Sequence, residues 1–388
     1  MRYPIGILGI ALVAIVLWEV FETIILPRRV TRRVRVTRAL YLATWWPWSG
    51  FARRMRNNRR REKLLSFYGP LSLMFLLAVW AAGLLIGFAA IHWAAGTTFG
   101  TTPLGGFWAD LYFSGTTFFT LGLGDVTPAD NVGRTLTVIQ AGVGIGFFAM
   151  IISYLPVLYQ AFSRREVNIS MLDARAGTPP TAGELLRRHH EAGDMESLNQ
   201  LLKEWEKWSA DLLESHLSYP ALCYFRSQHD NQSWLSALST ILDTCALVMV
   251  GVDGIPKWQA QLTFKMTRHA IVDLTQVFNT SPLTSDGQRL PAAEFAQLRA
   301  ALNEAGILLS SNDSTEQTLA DLREMYEPYL AVLSAYLLMP IPGWLPKKRM
   351  VDNWQTSAWE VTKPAPEEPF RKCMLEGTHA AVKKIAAR

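Results

Sequence analysis

The sequence predicts an all-α membrane protein: three transmembrane helices, a short re-entrant helix between the second and third, and an α-helical cytoplasmic domain behind them. Three observations carry this reading. Of the 388 residues, 49% are hydrophobic and only 18% charged, and the apolar excess lies before residue 163. Lys and Arg crowd between the first two apolar runs and are absent between the second and third. After Ser163 the apolar residues fall at helical spacing with little strand-like alternation. Three widely spaced cysteines (Cys223, Cys245, Cys373) exclude a disulfide scaffold and a four-thiolate zinc site.

The first span, Ile5 to Leu26, is interrupted only by Glu19 and Glu22 and is long enough to cross about 30 Å of hydrocarbon. It runs on to Pro27-Arg28-Arg29 without a small-residue cleavage site, which argues against a cleaved leader. The second span, Phe67 to Ile91, has no charged residue, with Pro70 expected in its first turn. The third, Thr135 to Phe162, is bracketed by Arg134 and by Arg164-Arg165. The domains are therefore 1–27, a basic interfacial segment 28–66, a two-span module 67–162, and a helical domain 163–388.

Orientation follows from the flanking cations. Arg28 to Lys63 holds thirteen basic residues against Glu62, whereas Ala94 to Gly133 holds none. The first loop is then cytoplasmic, the N-terminus and residues 94–133 face outward, and everything after Arg164 is cytoplasmic, in a multi-pass protein of the cell membrane. The pI of 9.1 reflects this block and does not point to nucleic acid. Trp45, Trp46 and Trp48 beside the arginines are expected on the inner leaflet, where the block serves as a topology determinant or binds anionic lipid at 28–63. Glu19 and Glu22 share a face and are expected to reach the interface or to pair with those arginines. No span carries the regularly spaced arginines of a voltage sensor.

The outward loop carries the chemistry. Phe107 to Phe119 is apolar but too short to span, and Thr120-Leu121-Gly122-Leu123-Gly124-Asp125 follows it. Irregular backbone survives at membrane depth only when buried in protein or lining a water-filled path. Rings of backbone carbonyls can replace the hydration shell of a cation, provided successive carbonyls point the same way. That needs alternating conformations, which Gly122 and Gly124 adopt without a Cβ penalty.

With its position between two spans, after Tyr112-Phe113-Ser114 and the threonines Thr116 and Thr117, this stretch resembles the pore helix and selectivity filter of potassium channels, whose consensus is Thr-Val-Gly-Tyr-Gly-Asp. The resemblance covers roughly residues 67–162. It implies ion sites lined by the carbonyls of Thr120, Leu121, Gly122 and Leu123 and by the Thr120 hydroxyl. It also places Gly124 in the filter, Asp125 at the outer mouth, and Thr116 and Thr117 as pore-helix support. Two departures stand out: Leu123 replaces the usual aromatic, and Phe119 stands where many members have threonine. Leucine cannot make the tyrosine's hydrogen bond to the pore helix, so the degree of potassium over sodium selectivity stays open. Asp110, Asp125 and Asp130 are the only formal charges between Lys63 and Arg134, and serve either a negative outer vestibule or ordinary solubility.

One pore loop supplies a quarter of such a filter, so the resemblance implies a homotetramer with three further copies of the chain. It implies passive potassium conduction, with no cofactor beyond the permeant ion. Gly142, Gly144 and Gly146 in the third span serve helix packing or bending, and Pro156 marks a hinge or a static kink near the cytoplasmic end. The alternatives are a weakly selective cation channel and a membrane-anchored scaffold with a nonconducting pore.

In the cytoplasmic half, Thr178-Pro-Pro-Thr181 and Leu283 to Pro291 are expected breaks between helices. Met195, Leu198, Leu201, Leu202, Trp205, Trp208, Leu212 and Leu213 mark one apolar face, and Leu319 through Leu333 a second. Leu235 to Val252 is apolar, but Asp243 in its middle favours a buried soluble helix over a fourth span. Leu330 to Leu345 is a candidate to rest on the inner leaflet. No nucleotide-binding glycine motif, metal-ligand spacing or enzyme signature is present, so nothing supports catalysis.

Overall fold

The computed structural model describes residues 2–26, 36–100, 106–229, 231–252, 256–283, 289–309 and 313–346. Among the described residues there is no β-strand, only an isolated bridge between Phe99 and Pro128. Three helices among the described residues are long and apolar enough to cross a membrane.

The first, α1 (Arg2–Val20), continues into a π-helical turn over Phe21–Ile25 and lies along α3 (Asn58–Ala95). Glycines set their spacing. A Cβ on Gly9 would sit 2.7 Å from the Gly87 carbonyl oxygen, so the backbones meet. Lipid tails give apolar helices no hydrophobic reason to associate, and such close approach supplies the packing instead.

Glu19 has a specific partner that the sequence did not reveal. It is buried and accepts from the backbone amides of Val36 (3.0 Å) and Thr37 (3.1 Å) and from the Thr37 hydroxyl (2.8 Å). These are the first amides of α2 (Val36–Arg54), which lack intrahelical acceptors and attract a carboxylate. Glu22 accepts from Trp18 Nε1 at 2.7 Å. The arginines of residues 28–35, and with them part of the expected lipid site, lie outside the described residues.

Helix α2 corrects the expectation for its tryptophans. Trp45 is buried, with its ring centroid 4.7 Å from Tyr68, and its Nε1 donates to the Tyr336 carbonyl at 3.1 Å. Trp48 is half-buried against Tyr68. Only Trp46, 81% exposed, stays on the outside, with Leu42 and Phe51. The reason is that α2 is packed from within by the C-terminal helices.

Helix α3 is 38 residues, about 57 Å at 1.5 Å per residue. It starts in the basic segment, where the Asn57 side chain accepts from the Arg60 amide at 3.2 Å. Pro70 therefore falls inside the helix and not in its first turn.

Helix α5 (Asn131–Ala176) is 46 residues, about 69 Å, and continues unbroken past Phe162. The end of the apolar run marks a change of surroundings, not of helix. The extension is held by Arg165, which pairs with Glu166 at 2.8 Å and donates to the carbonyls of Leu222 and Phe225, each at 2.9 Å. His216 completes the site. Its Nδ1 lies 2.8 Å from the Leu212 carbonyl and its Nε2 3.1 Å from the guanidinium, so Nδ1 donates and Nε2 accepts. Burial first, then the Arg165 charge, hold this imidazole well below its ordinary pKa.

The C-terminal domain comprises α6 (Ala182–Glu191), α7 (Met195–Ser218), a 3-10 turn (Pro220–Tyr224), α8 (Trp234–Val250), α9 (Lys257–Phe278), α10 (Ala292–Glu304), α11 (Asp313–Glu324) and α12 (Glu327–Leu337). The Thr178–Thr181 break separates α5 from α6, while residues 284–288 of the second expected break lie outside the described residues. Helix α8 is the centre, buried on every face from Trp234 to Val248. Asp243, 1% exposed, explains why it is not a span: Arg289 pairs with it at 2.6 Å and the Tyr326 hydroxyl donates to it at 2.6 Å.

The apolar face of α7 is buried as its spacing predicts. The second predicted face fails at Met325, which is exposed because the chain turns between α11 and α12. Nor does Leu330–Leu345 lie on the leaflet. Leu330, Leu333, Leu337 and Trp344 are buried in the domain, because α12 packs on α8 and α9.

Candidate functional site

Helix α4 (Phe107–Phe118) is 12 residues, about 18 Å, and cannot span. It is wedged between α3 and α5 by a short polar chain. The Ser114 hydroxyl donates to the Leu85 carbonyl at 2.7 Å, and Gln140 Nε2 donates to Ser114 Oγ (2.7 Å) and to its carbonyl (2.9 Å). Both side chains are buried, where such bonds face no competition from water. At the other end, the Phe118 ring packs on Phe147 (5.7 Å) and Phe148 (5.5 Å). Gly144 lies beneath it, and a Cβ there would stand 2.7 Å from the Phe118 carbonyl oxygen.

The chain leaving α4 alternates. Thr120, Gly122 and Gly124 have φ of 57°, 56° and 79°, with the intervening leucines outside the left-handed region. The glycines do this freely, but Thr120 is β-branched and is held there against its preference. Its amide donates to the Thr117 carbonyl (3.1 Å), and the Leu121 amide to the Thr116 carbonyl (2.8 Å). Thr116 and Thr117 thus support the loop through their backbones, while the Thr116 hydroxyl turns back to Phe113 at 3.0 Å. Among the described residues, no hydrogen bond reaches the carbonyls of Thr120, Leu121, Gly122 or Leu123. All four residues are exposed in a single protomer, so these carbonyls face outward from the chain.

Asp125 is tied to α4. The Tyr112 hydroxyl donates to its Oδ2 at 2.8 Å, and the Val126 amide to its Oδ1 at 3.1 Å. The loop is therefore anchored at its outer end although Leu123, 63% exposed, makes no such bond. The other two outer carboxylates differ in setting. Asp110 is buried in the first turn of α4. Asp130 caps α5, accepting from Gly133 N (2.7 Å) and Thr98 N (2.9 Å), and these amides hold its carboxyl below the ordinary range.

Of the residues proposed for bending, Gly144 contacts α4, whereas Gly142 and Gly146 have open space where a Cβ would stand. Pro156 lies within the continuous α5. Sequence reasoning missed Gln140, Ser114 and Tyr112 as ties. A glutamine deep within an apolar span was the available signal, since such a group needs a buried partner.

Residues 74–160, the two spans and the loop between them, match the family model Ion_trans_2, described as ion channel. This segment resembles an ion-channel module. The match supports the resemblance to potassium channels and takes in none of the C-terminal helices. An uncharacterized membrane protein of Bacillus subtilis (strain 168), YdjJ, is 24% identical over 298 residues, covering 75% of this chain and 83% of its own length. That likeness extends past the channel module into the C-terminal half. No solved structure gives a significant match.

Proposed function

We propose that this chain forms a potassium-selective channel in which four copies place their loops around one axis and conduct the ion passively. The observation that carries this is the row of unbonded carbonyls from Thr120 to Leu123, set by alternating backbone and lying on the surface of a single protomer. Leu121 is 61% exposed and Leu123 63%, and apolar side chains at that exposure are unfavourable until neighbouring copies cover them. The carbonyls and the Thr120 hydroxyl then coordinate potassium, Gly124 and Asp125 close the outer mouth, and the C-terminal domain supports assembly or biases the gate. In this reading the C-terminal domain is cytoplasmic. The exposed face of α2, with Trp46, Leu42 and Phe51, rests on the inner leaflet beside anionic head groups.

The test is potassium flux into proteoliposomes for the wild type and Gly122→Asp. Flux is expected in the first and none in the second, with both tetrameric, and absence of flux from an intact wild-type tetramer would overturn the reading. Leu123 supports a second version, a weakly selective cation channel. Reversal potentials in mixed sodium and potassium separate the two.

A further inference from the structure

Where α8, α9 and α11 meet, the C-terminal domain has a cavity of about 310 Å³. At about 30 Å³ per water-sized group it has room for roughly ten non-hydrogen atoms. Its wall is apolar and adaptable, built from Met249 at the end of α8, Phe264 on α9, Leu322 on α11 and Met325 just beyond. Phe264 is buried and Met325 exposed, so the apolar wall runs from the core to the surface.

Two cations share this cavity. Lys265 and Arg268 stand three residues apart on one face of α9. Arg268 Nε donates to the Met325 carbonyl at 2.8 Å, which fixes the guanidinium and leaves both Nη groups without a bonded partner among the described residues. Neither cation pairs with a carboxylate among the described residues, and no carboxylate lines the cavity. The same face of α9 carries Trp258, seven residues before Lys265 and 65% exposed, a large ring that the domain leaves bare.

We infer that this cavity binds a small amphiphilic carboxylate, an acyl or aryl acid of about ten non-hydrogen atoms. Its apolar body lies against Met249, Phe264 and Leu322, and its carboxylate sits between Lys265 and Arg268. A purely ionic ligand would leave the apolar wall wet, and a neutral one would leave the guanidinium fork, which suits a carboxylate, unanswered. The volume falls at the small end of the range for small-molecule sites. The site lies outside the span and loop module and does not depend on conduction.

Equilibrium dialysis of radiolabelled octanoate, which matches this size, tests the assignment on the full chain in nanodiscs of zwitterionic lipid, with empty nanodiscs as the blank. The analogues 1-octanol and acetate supply the apolar body and the charge separately. Saturable binding at a single site per chain is expected, at least about tenfold tighter for octanoate than for either analogue. Lys265→Gln combined with Arg268→Gln should weaken it about tenfold, and so should Met325→Glu, which sets a carboxylate beside the cations. Lys207→Gln, at an exposed position of α7, should leave it unchanged. Octanoate uptake no greater than that of empty nanodiscs overturns the assignment. So does saturable binding that 1-octanol equals, or that survives both the double variant and Met325→Glu.

Discussion

The loop from Thr120 to Asp125 and the helix α8 are opposite solutions for the same chain. In α8 every face is covered, and its one carboxylate, Asp243, is held by Arg289 and Tyr326. In the loop the side chains are exposed, the carbonyls lack partners and Thr120 sits in a conformation its side chain disfavours. One region is closed within a protomer, and the other is left open on its surface. A strained, exposed loop held in place by buried ties points to function more strongly than any depth of packing does.

The comparison can be broken at several points. The largest effect is expected from Gly144→Leu. A side chain there meets the Phe118 carbonyl, so α4 must move and flux should vanish in the proteoliposome assay while the protein still unfolds cooperatively. Asp243→Ala should do the reverse, costing the C-terminal domain about 3 kcal/mol, as measured by denaturant unfolding, because it strips Arg289 of its 2.6 Å partner, leaving Glu327 at 3.4 Å, and leaves the buried Tyr326 hydroxyl without its acceptor. Tyr112→Phe removes the tie to Asp125 and nothing else. The potassium to sodium permeability ratio should fall with flux retained, and an unchanged ratio would show that the outer anchor is dispensable.

The smallest effect is a pH dependence at the α5–α7 junction. His216 is held neutral, with its folded pKa below the ordinary value of about 6.5. Its contribution to stability is therefore complete above about pH 6.5 and is lost as pH falls toward the folded value. Thermal melting should shift down by a few degrees between about pH 7.5 and 5.5, and the shift should shrink in His216→Gln.

Much of the fold was legible because membranes and helices impose coarse rules. The three spans, the short helix between them and the amphipathic face of α7 follow from length and period alone. The filter-like loop was legible because alternating glycines answer a local need. The anchors were not. Glu19 with the first turn of α2, Gln140 with Ser114, Tyr112 with Asp125 and Arg165 with the Leu222 and Phe225 carbonyls join residues from 13 to 60 positions apart. No local pattern encodes which distant donor a buried acceptor meets. Trp45 shows the same limit: its composition suits an interface, and only the arrival of Tyr224 and Tyr336 turns it inward.

The sequence by itself determined where the chain meets lipid, where it carries a filter-like loop, and that its second half is helical, because each depends on neighbours within a few residues. The tertiary structure decided how that loop is held. It also decided that membrane and C-terminal helices share one continuous rod, because these outcomes depend on packing between segments far apart in the chain. Hydrophobic period specifies that a face is buried, but only the assembled fold specifies by what.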